Sequence, residues 1–266
     1  MNKILDGVAD TLYIPLVARI YVSKRFPGYF YDEKALQLER FISDEIIYKN
    51  SSEYFCMTSA ARYYNLDWIV KDFLGLNPKC NVIYLGTGLD TAYYRLNDKT
   101  ANFYQVDLPE VIDLRKKLIG FNENEKLVDC DMFNVNWEEV MDVSLPSIIV
   151  ASGVFQYFHE EKIIDFIKAL RIKFPRGYIL FDATNFIGLK YANMFVKRTG
   201  NKNAQMYFYI DNSIDFAESV GIKLIEERNF FNDARKLGNK LKIFSRIAMK
   251  IADEKKRTKI LYFKLN

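Results

Sequence analysis

One short stretch constrains the fold most: Asn81-Val82-Ile83-Tyr84-Leu85-Gly86-Thr87-Gly88-Leu89-Asp90-Thr91. An apolar run stops at a Gly-x-Gly turn, and Asp107 follows 21 positions after Gly86, at the end of a second such run. In a parallel α/β sheet the glycine turn lets backbone approach a ligand, and a carboxylate on the next strand tip accepts from both ribose hydroxyls. A dinucleotide site would need glycine at the position of Thr91, because there the helix start meets a pyrophosphate. A nucleoside ligand without phosphates has no such need. S-adenosylmethionine (SAM) is a ligand of that kind, so the stretch points to a methyltransferase.

The rest of the chain supports an alternating architecture. Residues 1–76 read as helices, with Phe41, Ile42, Ile46 and Ile47, and again Trp68, Ile69, Phe73 and Leu74, at helical spacing before Gly75 and Pro78. Strand candidates are Val82–Leu85, Asn102–Val106, Lys126–Val128, Ser147–Ala151 and Gly177–Asp182. Helix candidates between them are Asp90–Leu96, Pro109–Leu118, Asn136–Met141 and Glu160–Lys173. That order predicts right-handed crossovers and a parallel sheet. A helix Ser213–Val220, a strand Ile222–Arg228, a basic helix Asp233–Glu254 and a final strand Lys259–Leu265 follow. By analogy with a known fold, the expected class is α/β: a Rossmann-like class I methyltransferase with a seven-stranded, mostly parallel sheet and an antiparallel edge. Two parts are expected, an N-terminal helical cap over 1–76 and a SAM-binding domain over 77–266. The aromatic stretch of Phe186, Tyr191, Phe195, Tyr207, Phe208 and Tyr209 is a candidate lid insertion at about 186–210.

Composition narrows the chemistry. With 266 residues, half of them apolar, the chain can bury one large core. No apolar stretch is long enough to span a bilayer, Met1–Asp10 does not read as a secretory signal, and three scattered cysteines suit a reducing cytoplasm. The single histidine, His159, excludes most His-based metal and triad chemistry, and no metal site is expected. Nothing in the net charge of +4 indicates nucleic acid. The basic helix 233–254 places Leu237, Leu241, Phe244, Ala248 and Ile251 on one face; covering the sheet is its expected role, with membrane contact the lesser alternative.

Candidate site residues fall at successive strand tips. Gly86 and Gly88 allow backbone approach to the methionine half of the ligand. Asp107 accepts from ribose, caps the helix beginning at Pro109, or does both. Asp131, with Met132 or Phe133, is placed for adenine, or is a plain turn acid. Ser152 and Gly153 follow the fourth strand, where acceptor and methyl group should meet.

Three segments carry a family resemblance. Val82-Ile83-Tyr84-Leu85-Gly86-Thr87-Gly88-Leu89-Asp90-Thr91-Ala92-Tyr93-Tyr94-Arg95-Leu96 resembles the signature of leucine carboxyl methyltransferase-like enzymes, a group that includes the tetracenomycin-type polyketide O-methyltransferases. Asp107-Leu108-Pro109-Glu110-Val111-Ile112 and Ala151-Ser152-Gly153-Val154-Phe155-Gln156-Tyr157-Phe158 are similar to two further family segments, and Arg62 lies 24 residues before Gly86, as the family arginine does. Ser152 stands where the family usually has Glu, and Thr87 where Ala is common. The resemblance implies SAM held by Arg62, Gly86, Thr87, Gly88, Asp90, Asp107, Leu108, Asp131, Met132 and Ser152. It also implies that Arg62 and Tyr157 hold the acceptor.

An acceptor carboxylate, with a pKa near ~4, is already anionic at neutral pH and needs no general base, which fits the scarcity of histidine. The acceptor that the resemblance implies is a carboxylate, or another oxygen, of a small-molecule acid or a peptide C-terminus. His159 is the alternative base for a phenol or alcohol. Two other readings compete: a non-catalytic SAM-binding protein, motivated by Ser152, and a nicotinamide-dependent oxidoreductase, which Thr91 disfavours.

Overall fold

The computed structural model describes residues 9–42, 52–199 and 205–266. The helices are α1 (Ala9–Arg25), α2 (Glu33–Leu38), α3 (Glu53–Leu76), α4 (Ala92–Leu96), α5 (Pro109–Leu118), α6 (Glu160–Lys173), α7 (Phe186–Thr199), α8 (Ser213–Val220) and α9 (Ile243–Glu254). The strands are β1 (Asn81–Leu85), β2 (Asn102–Asp107), β3 (Glu125–Asp129), β4 (Ser147–Ala151), β5 (Gly177–Thr184), β6 (Lys223–Asn229) and β7 (Thr258–Lys264). They form one sheet in the order β3-β2-β1-β4-β5-β7-β6. β1 to β5 pair in parallel, while β7 runs antiparallel between β5 and β6. This is the class I methyltransferase sheet that the sequence predicts. Strand order reverses between β1 and β4, and there the carboxyl ends of the strands open a crevice.

Alternation along each central strand divides the core. Val82 and Tyr84 of β1, with Ile148 and Val150 of β4, pack against Ala60, Leu66 and Phe73 of α3. Ile83 and Leu85, with Ile149 and Ala151, face Ile163, Ile167 and Leu170 of α6. Both faces are covered, which is why these strands read as continuous apolar runs. Residues from the two expected parts share a core: Val22 of α1 and Ala60 of α3 belong to the same buried cluster as β1 and β4.

Several expectations need adjustment. Asn136–Met141 is a 3-10 segment, Val135–Val140. The basic helix is not continuous from Asp233: a 3-10 segment Ala234–Lys240 breaks at Gly238 (φ 56°, ψ −125°), and α9 starts afresh at Ile243. The break rotates the helical register. Leu241, Met249 and Ala252 are buried, whereas Phe244 and Ile251, expected on the inner face, are exposed. Ile46 and Ile47 lie outside the described residues, as do residues 200–204 of the candidate lid and the side chain of Phe195.

Candidate methyltransferase site

The glycine turn after β1 is held from below by side chains. Gly86 and Gly88 adopt φ of 57° and 50°, the left-handed region that favours glycine. A Cβ at Gly86 would stand 2.7 Å from a methyl of Val154, and one at Gly88 would stand 2.9 Å from Leu12 of α1. The N-terminal helix therefore touches the turn directly. Buried Arg115 of α5 donates to the carbonyls of Gly88 and Asp90 and pairs with Glu125 at 2.9 Å. Thr87 is also buried, and its hydroxyl bonds Gln105 of β2.

Asp107 sits beside this turn. One carboxylate oxygen accepts from Gly88 N at 2.7 Å and the other from Leu108 N at 2.8 Å. Each oxygen keeps a lone pair for a further donor, as two ribose hydroxyls require. Burial raises the Asp107 carboxyl above its ordinary value despite the two N–H donors and Arg115. Leu108 contributes backbone, and its side chain is exposed.

Asp90 differs from the expectation. Its Oδ1 accepts from Ala92 N at 3.0 Å and from Arg95 Nη1 at 2.9 Å, and the residue is buried. It belongs to an ionic cluster beneath the glycine turn. Arg95 is bidentate to Asp67 (2.7 and 2.9 Å) and reaches Asp32 at 3.1 Å. Arg19 of α1 pairs with Asp32 at 2.8 Å and donates to Leu89 O at 2.6 Å, and Thr91 donates to Asp32. The Asp-Thr and Arg-Leu pairs of the motif thus act by fixing the turn to the N-terminal helices.

On the third strand tip, Asp131 is exposed and caps its own turn through Phe133 N at 3.0 Å, leaving Oδ2 for another donor. Met132 differs from the expectation of an adenine contact: it is buried in the core that contains Trp137 and Val106. Phe133 packs edge-on against Phe158, with centroids 4.6 Å apart.

The tips of β4 and β5 hold the remaining polar groups. Arg62 of α3 meets Asp182 of β5, Nε to Oδ2, at 3.0 Å. Nε makes no other contact of this kind among the described residues, so Asp182 is its charge partner. The other oxygen of Asp182 accepts from Gly153 N at 2.6 Å. Burial works against the Arg62 charge, but Asp182 outweighs it and holds the guanidinium pKa above its ordinary value. Burial likewise raises the Tyr157 phenol, with Arg62 opposing. Ser152 Oγ and Gln156 Oε1 are buried without a partner among the described residues. His159 is exposed, and its ring lies tilted against Tyr207, with ring centroids 4.3 Å apart.

Gly153 ties this corner together. It adopts φ 68°, and a Cβ there would stand 2.6 Å from Arg62 Nη1. Gly153→Ala should cost about 1–2 kcal/mol through left-handed backbone strain alone and should displace the guanidinium. A thermal melt and a SAM titration check both effects.

Sequence reasoning singled out Arg62, Ser152, Gly153 and Tyr157, and the structure brings them together. It missed Asp182, Arg115, Arg19 and Asp32. Asp182 carried the same signal as Asp107, an acid closing an apolar strand. Arg115 was visible as a charge sharing a helix face with Val111 and Ile112.

Comparison with known proteins bears on the fold and the family. The chain is 26% identical over 201 residues to the tetracenomycin polyketide synthesis O-methyltransferase TcmP of Streptomyces glaucescens, covering 74% of each chain. Among solved structures it is similar to a DUF574 family protein from Streptomyces avermitilis (TM-score 0.55, 14% identity, 93% and 96% of the two chains). It is also similar to an O-methyltransferase family protein from Burkholderia thailandensis (TM-score 0.52, 15% identity, 94% and 71%). The leucine carboxyl methyltransferase family model matches residues 15–171. With more than half of its length matched, the chain belongs to the leucine carboxyl methyltransferase family, a family of SAM-dependent methyltransferases.

Proposed function

We propose that this chain transfers a methyl group to a carboxylate oxygen of a small-molecule acid or a peptide C-terminus. The nicotinamide alternative falls away with the family assignment. One observation carries the acceptor class. Beside Gly153 lie a charged guanidinium paired with Asp182, a phenol and a buried Ser152 Oγ that has no partner among the described residues, whereas the single histidine is exposed and packed against Tyr207. Such a corner can bind and desolvate an anion, and an anion needs no base.

The residues fit SAM. Positive-φ Gly86 and Gly88 form a turn free of side chains beside Asp107, which keeps a lone pair on each oxygen. In this proposal Asp107 and Asp131 hold the nucleoside, and Gly86 and Gly88 let backbone approach the methionine half. Arg62 and Ser152 face the methionine end, and Arg62 and Tyr157 orient the acceptor oxygen. When bound, SAM supplies an electrophilic methyl on a sulfonium. The protein's own work is to align the acceptor at roughly 3 Å, exclude water and keep the Tyr157 phenol protonated. Residues 1–76 serve as a cap, a role that the contact of Leu12 with Gly88 supports. Tyr191 and Tyr207 in 186–210 expose rings suited to a lid, whereas Phe208 is buried in the core.

Asp107→Ala should weaken SAM binding by about 10- to 100-fold, the cost of roughly 1.5–3 kcal/mol for hydrogen bonds to a charged group, read by calorimetry. The acceptor class is tested with a panel of carboxylic acids and phenols, following release of S-adenosylhomocysteine against pH. An acid acceptor should give a rate that stays flat above about pH 6, where the carboxylate is fully ionised. A rate that climbs with pH and prefers phenols would overturn the carboxylate reading. SAM binding without turnover of any acceptor would instead favour the non-catalytic reading that Ser152 motivates.

A further inference from the structure

We infer that the outer face of α9 is a docking surface for an anionic lipid bilayer. The buried face of this helix is formed by Ser245, Met249 and Ala252. On the opposite side, Ile243, Phe244 and Ile247 are 71%, 74% and 54% exposed, and Ile251 continues the stripe one turn on. Large aliphatic and aromatic side chains grouped this way mark an interaction site. Helix geometry aligns them, since positions 243, 247 and 251 recur at i+4.

The charges beside the stripe choose the occupant. Arg246 and Lys250 flank it, and Lys240 and Lys242 stand at its N-terminal end, all exposed. Lys240 and Lys242 make no ion pair among the described residues, and Arg246 engages only the neutral Asn239. Lys250 faces Glu254 at a loose 3.7 Å. An apolar stripe edged by cations matches the acyl–headgroup boundary of an anionic leaflet, into which an amphipathic helix sinks along its length. A second copy on the same face would bring these cations against their own equivalents, because a two-fold contact pairs a surface with itself. No helix among the described residues is long and apolar enough to cross a membrane, so attachment here would be to the surface.

The neighbouring element extends the patch. Asn185 donates to Lys255 O at 3.0 Å, and Arg257 lies 4.6 Å from the ring centroid of Tyr191, so the end of α9 meets the start of α7. There Ile187, Tyr191 and Met194 are exposed as well.

Co-sedimentation of the full chain with vesicles tests the inference, using phosphatidylcholine alone and phosphatidylcholine with an equal part of phosphatidylglycerol. The chain should pellet with the anionic vesicles and partition roughly several-hundredfold more weakly onto neutral ones, as four surface cations at roughly 1 kcal/mol each allow. Ile243→Asp/Ile247→Asp should abolish pelleting, and Lys240→Gln/Lys242→Gln should weaken it about tenfold. Melting midpoints should match the wild type, because every altered side chain is exposed. If the aspartate variant does not fold, the lysine variant carries the test alone. Failure of the wild-type chain to pellet, or equal pelleting with both vesicle types, overturns the inference. So does a concentration-dependent dimer in sedimentation velocity that either variant abolishes.

Discussion

Asp182→Asn should weaken the binding of SAM and S-adenosylhomocysteine by about 10- to 100-fold, corresponding to roughly 1.5–3 kcal/mol for a lost charged contact. 5′-Methylthioadenosine, which lacks the amino-acid part, should bind almost unchanged. The reasoning runs through Arg62. Asp182 is the only carboxylate in the Arg62 ion pair among the described residues, and its second oxygen anchors Gly153 N at 2.6 Å. Asparagine keeps an oxygen for Gly153 but removes the charge, so the guanidinium loses the partner that fixes its direction. Stability should fall only modestly, by roughly 1–3 kcal/mol, because Arg62 retains some exposure. If 5′-methylthioadenosine weakens as much as SAM, Asp182 supports the fold and not the methionine end of the site.

The same aspartate bears on Ser152. A serine where family relatives usually carry Glu removes a charge from the β4 tip, yet Asp182 supplies a buried carboxylate from the adjacent strand. Ser152→Glu combined with Asp182→Asn should recover part of the lost affinity for SAM, whereas Ser152→Glu alone should add like-charge repulsion and weaken it. Recovery in the double variant would mean that the carboxylate has moved between strands without loss of its role.

What the sequence reveals and what it hides follow from the range of the interactions. The parallel sheet was legible because most of its strands are short apolar runs that stop at a small or acidic residue, and such runs are set locally. Strand-tip residues such as Asp107, Ser152 and Gly153 were legible for the same reason. Asp182 carried the same local signal as Asp107, but its pairing with Arg62, 120 positions away, could not be read from it. Asp90 was misread for a related reason. The family resemblance implied a ligand contact for it, but here Arg95 pairs with that carboxylate. The face of α9 was misassigned because a single residue, Gly238, resets the helical phase, and periodicity arguments carried across such a break rotate the apolar stripe.

Asp32→Asn is expected to have the largest effect on stability, roughly 3–5 kcal/mol, because it leaves buried guanidinium charge uncompensated. Asp32 is fully buried, accepts from Thr91 and Ala35 N, and pairs with both Arg19 and Arg95. Burial alone would raise its carboxyl, but Arg19 and Arg95 together with the hydrogen bonds hold it below its ordinary value. The sign of the pH effect follows. A carboxyl lowered in the folded state contributes stability that is complete above its unfolded value, near pH ~4, and is lost as pH falls through the folded one. The gap between wild type and Asp32→Asn in urea melts should therefore be full at neutral pH and shrink only in more acidic solution. Asp67, which burial raises despite Arg95, acts in the opposite sense, so Asp67→Asn should cost less at neutral pH than Asp32→Asn. Because Arg19 also holds Leu89 O, loosening this cluster frees the glycine turn. Asp32→Asn should accordingly weaken SAM binding under conditions where the variant is still folded, although Asp32 lies beneath the turn and not in the crevice. Unchanged affinity in the folded variant would restrict the cluster to a purely structural part and leave the glycine turn rigid by its own backbone.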